Sequence, residues 1–388
     1  MKKVIQKQKK LFLFSLLGLI TLAASFCLVQ KYGASGEGGL FFVNQIAPEK
    51  EELEVTIVDD QQGNSFEVAE NNAEEEVLET DAEQLTVNEE SEKNDPVETE
   101  PDKGIEKFSI LPAPVEKSAD ADILRIGFLV DSHVRSENGK GIALEDFYVD
   151  KFNYFVEKMN NVFGPNFLIL GGDMLEGTRV PWAIGTKELS LLKGIADRTT
   201  IEKYWVVGNH DLRSISKKQW KSTLGINYTS KAFNVGNYRI IILDSNFTKE
   251  GGDVGPGNDY TRGNVSAREV QWLKGELEGT DKQILVFMHH PPLRGIEAKI
   301  DLNLPYNAKE LQELFSQYGV LAVFSGHIED LYYQKIGGVN YFVSPGMVKY
   351  PKYLGAFSEI TIKDKKIDIE LNYLREDGKY RTIRIGKD

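Results

Sequence analysis

From residue 123 onward, five short apolar runs each end in a cluster of glycine, carboxylate, amide or histidine. Ile123–Val130 runs into Asp131-Ser132-His133, and Phe167–Leu170 into Gly171-Gly172-Asp173. Tyr204–Val207 runs into Gly208-Asn209-His210-Asp211, and Gln283–Met288 into His289-His290-Pro291-Pro292. Val320–Phe324 runs into Ser325-Gly326-His327-Ile328-Glu329. Amphipathic stretches at Leu144–Asn161, Lys187–Arg198, Ser266–Leu277 and Ala308–Tyr318 read as helices between them, the third with Ser266 as N-cap and Glu269 three residues on. Strands alternating with helices make an α/β domain with parallel pairing.

In such sheets ligands bind outside the carboxyl ends of the strands. Five polar strand ends would therefore converge on one crevice. All 5 histidines of the chain fall in these clusters, at His133, His210, His289, His290 and His327. Scattered structural histidines would not distribute that way. Imidazole and carboxylate together suit a transition-metal site and not an all-oxygen calcium site. Glycines before Asp173, Asn209 and His327 permit tight turns and close backbone approach. Tyr238–Leu243 reads as a further strand, with Asp244 at its end as a structural residue. After Asp330 the pattern turns to β, with Leu331–Ile336, Tyr341–Ser344, Phe357–Lys363 and Lys366–Leu374 as strands. Gly337-Gly338 and Asp364-Lys365 read as hairpin turns.

The order of clusters, DSH, GGD, GNHD, MHHPP and GHIE, resembles that of the calcineurin-like metallophosphoesterases. HHPP after an apolar strand is similar to the phosphodiesterase and purple-acid-phosphatase-like branches. The resemblance spans residues 123 to 329 and implies a four-layer αββα sandwich over 121–388. It also implies two divalent ions, with Mn, Fe or Zn the candidates, and hydrolysis of a phosphodiester or phosphomonoester by a metal-bridged hydroxide. By position, Asp131 and His133 would bind the first metal and Asp173 would bridge both. Asn209, His289 and His327 would bind the second. His210 would meet the phosphate and assist the leaving group, and Asp211 would orient His210. His290 would line the substrate pocket. One position departs from the family pattern: Glu329 stands where the last motif ends in His. As a ligand it would add negative charge to the first site and lower its Lewis acidity. It also leaves open a degraded member that binds a ligand or partner but turns over slowly. Substrate choice would lie in the loops, with Arg135, Glu176–Trp182 and Gly251–Arg262 as candidates. Arg135 and Arg262 are the side chains there that could read a phosphate.

The rest of the chain is of another kind. Residues 2–10 carry five lysines, and Leu11 to Val29 then run 19 residues without a charge, long enough to span a bilayer core. The lysines favour a cytoplasmic N-terminus and an exported remainder. An uncleaved signal anchor within 1–31 is the favoured reading; a cleaved signal peptide, giving a secreted protein, and a lipidated Cys27 are the alternatives. Residues 49–103 hold 21 acidic and 3 basic side chains, a net of −18, and residues 1–48 a net of +5. The chain total is −13, so residues 104–388 sum to zero (−13 + 18 − 5). Residues 32–120 therefore read as an acidic, disordered tether, with Leu40–Val43 and Val55–Val58 as weak strand candidates. A neutral domain argues against nucleic acid as a partner, which needs a basic stripe. The expected partners are the membrane, through residues 11–29, and a small-molecule or envelope phosphate ester. The single cysteine excludes an intrachain disulfide.

Overall fold

The computed structural model describes residues 65–68, 109–115, 122–135, 147–257, 260–293, 303–347, 353–374 and 379–385. The expected membrane span at 11–29 and the strand candidates at 40–43 and 55–58 lie outside them. No helix among the described residues is long and apolar enough to cross a membrane.

Thirteen strands and six helices follow in chain order. They are β1 (Ser65–Val68), β2 (Leu124–Leu129), α1 (Phe147–Lys158), β3 (Phe167–Leu170), α2 (Trp182–Ala196) and β4 (Lys203–Trp205). The one-turn α3 (Asp211–Ser214), α4 (Lys217–Leu224), β5 (Lys231–Val235), β6 (Tyr238–Leu243), α5 (Ala267–Glu278) and β7 (Gln283–Met288) come next. The chain ends with α6 (Ala308–Gln317), β8 (Ala322–Ser325), β9 (Tyr332–Ile336), β10 (Val339–Val343), β11 (Phe357–Lys363), β12 (Lys366–Leu374) and β13 (Tyr380–Ile385). One sheet has the order β1-β9-β10-β8-β7-β6-β5 and the other β13-β12-β11-β2-β3-β4. Within each, three strands that precede polar clusters, or Asp244, run parallel: β2, β3 and β4 in one, β6, β7 and β8 in the other.

The two sheets share an apolar layer. Ile126, Phe128 and Ile169 from one meet Ile240, Phe287 and Phe324 from the other. The Phe287 and Phe324 rings stack at 4.9 Å. Alternate residues of the same strands face outward, where Leu168 and Leu170 pack under Phe155, Leu189 and Trp220. Ile241, Val286 and Val323 pack under Leu273 and Leu311. Strands buried on both faces read as unbroken apolar runs, which is why they were visible in the sequence. Each such side chain contributes about 1.5–3 kcal/mol on burial.

Details depart from expectation. The described part of helix α1 begins at Phe147, and its last turn relaxes into a π-turn, Met159–Phe163, closed by left-handed Gly164. Helix α2 starts at Trp182, five residues before the expected Lys187. Ser266 caps α5 by accepting from the Glu269 amide at 3.3 Å, one half of the reciprocal box. Ser216 and Gln219 make both halves at α4, a helix that the sequence reading passed over. Both hairpin turns are as expected, with φ of 58° and 83° at Gly337-Gly338 and 50° and 67° at Asp364-Lys365. Two parts of the expected tether belong to the domain. Ser65–Val68 pairs antiparallel with Tyr332–Lys335 as an edge strand. Leu111 and Val115 donate backbone hydrogen bonds to Arg198 and Asn160.

Candidate metal centre

Parallel pairing between β2 and β3 does not stop where the strands end. Asp131 N donates to Gly172 O, His133 N to Asp173 O, Val134 N to Met174 O and Glu176 N to Val134 O, at 2.9 to 3.0 Å. This ladder fixes the two polar turns side by side. The turns themselves are strained. Asp131, His133, Asp173, His327 and Glu329 have φ of 51°, 41°, 49°, 72° and 59°, values that few side chains adopt. Only three other non-glycine residues among the described ones do so, and two of those form a hairpin turn. Strain of this kind is held in place by its surroundings, and it gathers at functional sites. Glycines make the close approach possible. A Cβ on Gly208 would sit 2.1 Å from Asp173 N and Oδ1, and one on Gly326 would sit 2.3 Å from Asp131 Oδ2.

The side chains then converge. Asp173 Oδ2 lies 3.1 Å from His289 Nε2 and 3.9 Å from His133 Nε2. His133 Nε2 lies 3.9 Å from Asp131 Oδ1 and 3.4 Å from Glu329 Oε1. Asn209 Oδ1 lies 3.2 Å from His289 Nε2, while Asn209 Nδ2 donates to the Tyr260 carbonyl at 2.9 Å. His327 N donates to the Asp131 carboxylate at 3.0 Å. Two overlapping groups, Asp131-His133-Asp173 and Asp173-His289-His327, each bring one ligand atom per residue within 4.8 Å of one another. Asp173 belongs to both. The seven metal-ligand candidates of the sequence reading therefore lie together.

Their ring nitrogens suit a cation. His133 Nδ1 faces Glu176 Oε2 at 3.1 Å, and His289 Nδ1 faces the Gly171 carbonyl at 3.2 Å. In the neutral ring each Nδ1 thus carries the proton and leaves the Nε2 lone pair pointing inward, as in metal-bound histidines. The Nε2 atoms of His133 and His327 are buried with no hydrogen-bond partner among the described residues. Buried polar atoms left so are rare, and a bound ion would account for them.

Charge is finely divided here. Burial and the neighbouring Asp173 carboxylate raise Asp131 to about 7, against the opposing pull of His289. Burial disfavours an ionised Asp173, but His289, His210 and His133 outweigh it and hold the carboxyl well below its ordinary range. Burial also opposes a charged His289, yet Asp173 takes it up to about 9. His327 is pushed well below its ordinary value by burial and then by His290 and His289.

Other expected site residues are placed differently. The Asp211 carboxylate is turned to backbone amides and not to the His210 ring; its Oδ1 accepts from Leu175 N at 3.0 Å and its Oδ2 from Gly208 N at 2.9 Å. It ties the Asp173 and Asn209 turns together from below. The His210 ring instead donates Nδ1–H to the Glu176 carbonyl at 2.8 Å, with Glu176 Oε2 at 3.3 Å. His290 is 1 % exposed. Its Nδ1 accepts from Ser245 Oγ at 2.8 Å and its Nε2 donates to the Thr261 carbonyl at 3.2 Å, which leaves no lone pair for a metal. Burial and His289 lower it to about 3, so it stays neutral. Arg135 is exposed just beyond the Val134–Leu175 bridge. Glu176 was missed as an individual residue, although it sits three positions after Asp173 in a loop the sequence had flagged.

The sequence model of the calcineurin-like phosphoesterase family matches residues 124–328. The chain belongs to that family. The motif-order resemblance is thereby borne out. Among relatives, the chain is 33% identical over 147 residues to a 3',5'-cyclic-nucleotide phosphodiesterase of Nostoc sp., covering 37% of this chain and 51% of the relative. It is 28% identical over 205 residues to a probable glycerophosphodiester phosphodiesterase of Arcobacter nitrofigilis, covering 51% of this chain and 69% of that one. A serine/threonine-protein phosphatase of Rattus norvegicus is 29% identical over 217 residues, 52% of this chain and 62% of the relative. The match thus spans about half of the Nostoc protein's length. A dimetal phosphatase from Danio rerio shares the fold at a TM-score of 0.54 and 16% identity, over 67% of this chain and 98% of that one.

Proposed function

We propose that this phosphoesterase hydrolyses phosphodiesters at a dinuclear centre held by Asp131, His133, Asp173, Asn209, His289, His327 and Glu329. The observation that carries the reading is the position of Asp173, whose Oδ2 faces His289 Nε2 at 3.1 Å and His133 Nε2 at 3.9 Å, between two ligand groups. Two bound divalent ions would supply Lewis acidity at the phosphate and an activated water as nucleophile. The chain's own residues do the remainder. Asp131, His133 and Glu329 would hold one ion, Asn209, His289 and His327 the other, with Asp173 shared. The carbonyl of Tyr260 fixes the Asn209 amide so that its oxygen faces inward. The Glu176 carbonyl holds the ring through His210 Nδ1, which leaves His210 Nε2 to face the leaving oxygen, to which it would donate in the doubly protonated form. A diester substrate is favoured by the Nostoc and Arcobacter relatives, both named as diesterases.

The test is release of p-nitrophenol from bis-p-nitrophenyl phosphate and from p-nitrophenyl phosphate, with Mn, Zn, Fe or Co added. Turnover of the diester above an Asp173→Ala control supports the proposal. No turnover with any of the four metals favours a ligand-binding relative, for which Glu329 in place of the family histidine is the motif evidence. We also propose that residues 11–29 anchor the chain and hold the domain outside the cytoplasm, on the strength of the 19-residue uncharged run behind a lysine cluster. Protease treatment of intact cells should remove the domain; its survival would sink that placement.

A further inference from the structure

Two cations outside the metal centre share one aromatic ring. The Arg262 guanidinium lies 4.4 Å from the Tyr306 ring centroid and the Lys249 ammonium 5.7 Å from it. Neither pairs with a carboxylate among the described residues. Lys217, Arg239 and Arg384, by contrast, are each matched to an acid. Tyr306 is 41% exposed, so the group meets solvent. Its position is set by the metal centre itself. The Tyr260 carbonyl holds Asn209 and the Thr261 carbonyl holds His290, so Arg262 is the next residue of a strap already bonded to the centre twice. Gly263 continues it, its carbonyl accepting from Tyr306 N at 3.0 Å. Arg262 Nε is spent on the Leu304 carbonyl at 2.9 Å, which leaves the two outer nitrogens of the guanidinium for another group.

A guanidinium anchored at Nε and backed by an aromatic face is pre-organised to receive a carboxylate or phosphate through its outer edge. Two residues of chain span at most about 7 Å, so the Arg262 backbone lies close to the Tyr260 carbonyl that holds Asn209. We propose that Arg262 and Lys249, seated on Tyr306, form a subsite for a second anionic group on the substrate, a carboxylate or a phosphate carried by the alcohol part of a phosphodiester. The inference rests on the phosphodiesterase reading for the word substrate, and its test does not depend on turnover.

The probes are p-nitrophenyl phosphodiesters differing only in the second alcohol: methyl, 2-carboxyethyl, 2-phosphonoethyl and 2-trimethylammonioethyl. Binding to the full-length, metal-loaded wild-type protein is measured by calorimetry on ice, and hydrolysis is followed separately. The anionic diesters should bind about fivefold or more tightly than the methyl ester, the cationic one no better than it. The anionic-to-methyl ratio should fall toward one in Arg262→Gln and in Lys249→Gln, and with added salt. Lys249→Gln touches no backbone partner and so keeps the test open if Arg262→Gln does not fold. Preference for only one of the carboxylate and phosphonate probes identifies the anion. Equal binding of methyl and anionic diesters, or a ratio that survives both substitutions, overturns the subsite. Binding with the expected ratio but no hydrolysis of any probe upholds the subsite and overturns the hydrolase reading instead.

Discussion

One carboxylate serves two imidazoles at Glu176. Its Oε2 lies 3.1 Å from His133 Nδ1 and 3.3 Å from His210 Nδ1. Burial opposes its ionisation, but the hydrogen bonds from both histidines prevail and keep it strongly acidic. It therefore stays charged and holds both rings with Nε2 inward. Glu176→Gln preserves the shape and removes the charge. We expect kcat to fall about 10- to 100-fold, the usual cost of losing such a partner, with thermal stability changed far less; an unaltered kcat would deny Glu176 any part in the reaction. Glu329 allows a second test. It faces His133 Nε2 at 3.4 Å. Glu329→Ala should lower the metal content measured by mass spectrometry from two ions per chain toward one, and Glu329→His should restore it. Asp211→Ala acts differently: it leaves the Gly208 and Leu175 amides unsatisfied under both turns, at about 1–3 kcal/mol each.

At the scale of elements, the strand ends carry the constraint. Gly208 joins β4 to Asn209 with no room for a methyl group beside Asp173 N. Gly208→Ala should abolish metal binding, read by calorimetry, because the atom it strikes is backbone and cannot swing away. The hairpin at Asp364-Lys365 has the opposite problem, a surplus of side chain. Both residues have positive φ, as a two-residue type I′ turn requires. Lys365→Gly should relieve strain and stabilise the domain by about 0.5–1 kcal/mol, seen as a melting temperature about 2 °C higher. These elements were largely legible. β2, β3, β7 and β8 are buried on both faces, so each was an apolar run with a visible end. β5 was not, because Lys231–Val235 has no fully buried residue and no run to mark it. Helix α4 carries its Ser216–Gln219 box in plain view, but only eight residues follow the cap and three of them are buried. The ligand candidates were legible because chemistry and strand position coincided. The partners of His210 and His290 were not, since Glu176, Ser245 and Thr261 reach them from loops whose path depends on how two sheets meet.

The whole molecule places buried carboxylates and imidazoles where two sheets come together, and this makes metal binding a proton-linked event. A ligating carboxylate must be ionised and a ligating imidazole neutral. In the metal-free protein Asp131 titrates at about 7 and His289 at about 9, so at neutral pH the site holds protons that a cation must displace. Below pH 7 Asp131 is largely protonated and competes with the ion; above it the competition fades, while His289 continues to lose its proton up to about 9. Affinity for Mn or Zn should therefore rise steadily from pH 6 to pH 8. Calorimetry in buffers of different ionisation enthalpy should show protons released on binding. The same linkage reaches the fold. At an ion concentration 100 times Kd the ligand adds about 2.7 kcal/mol to stability, so chelation should lower the melting temperature by about 5–10 °C in a domain of this size. A melting temperature indifferent to chelator, together with no proton release, would mean that the converged side chains hold no ion at all.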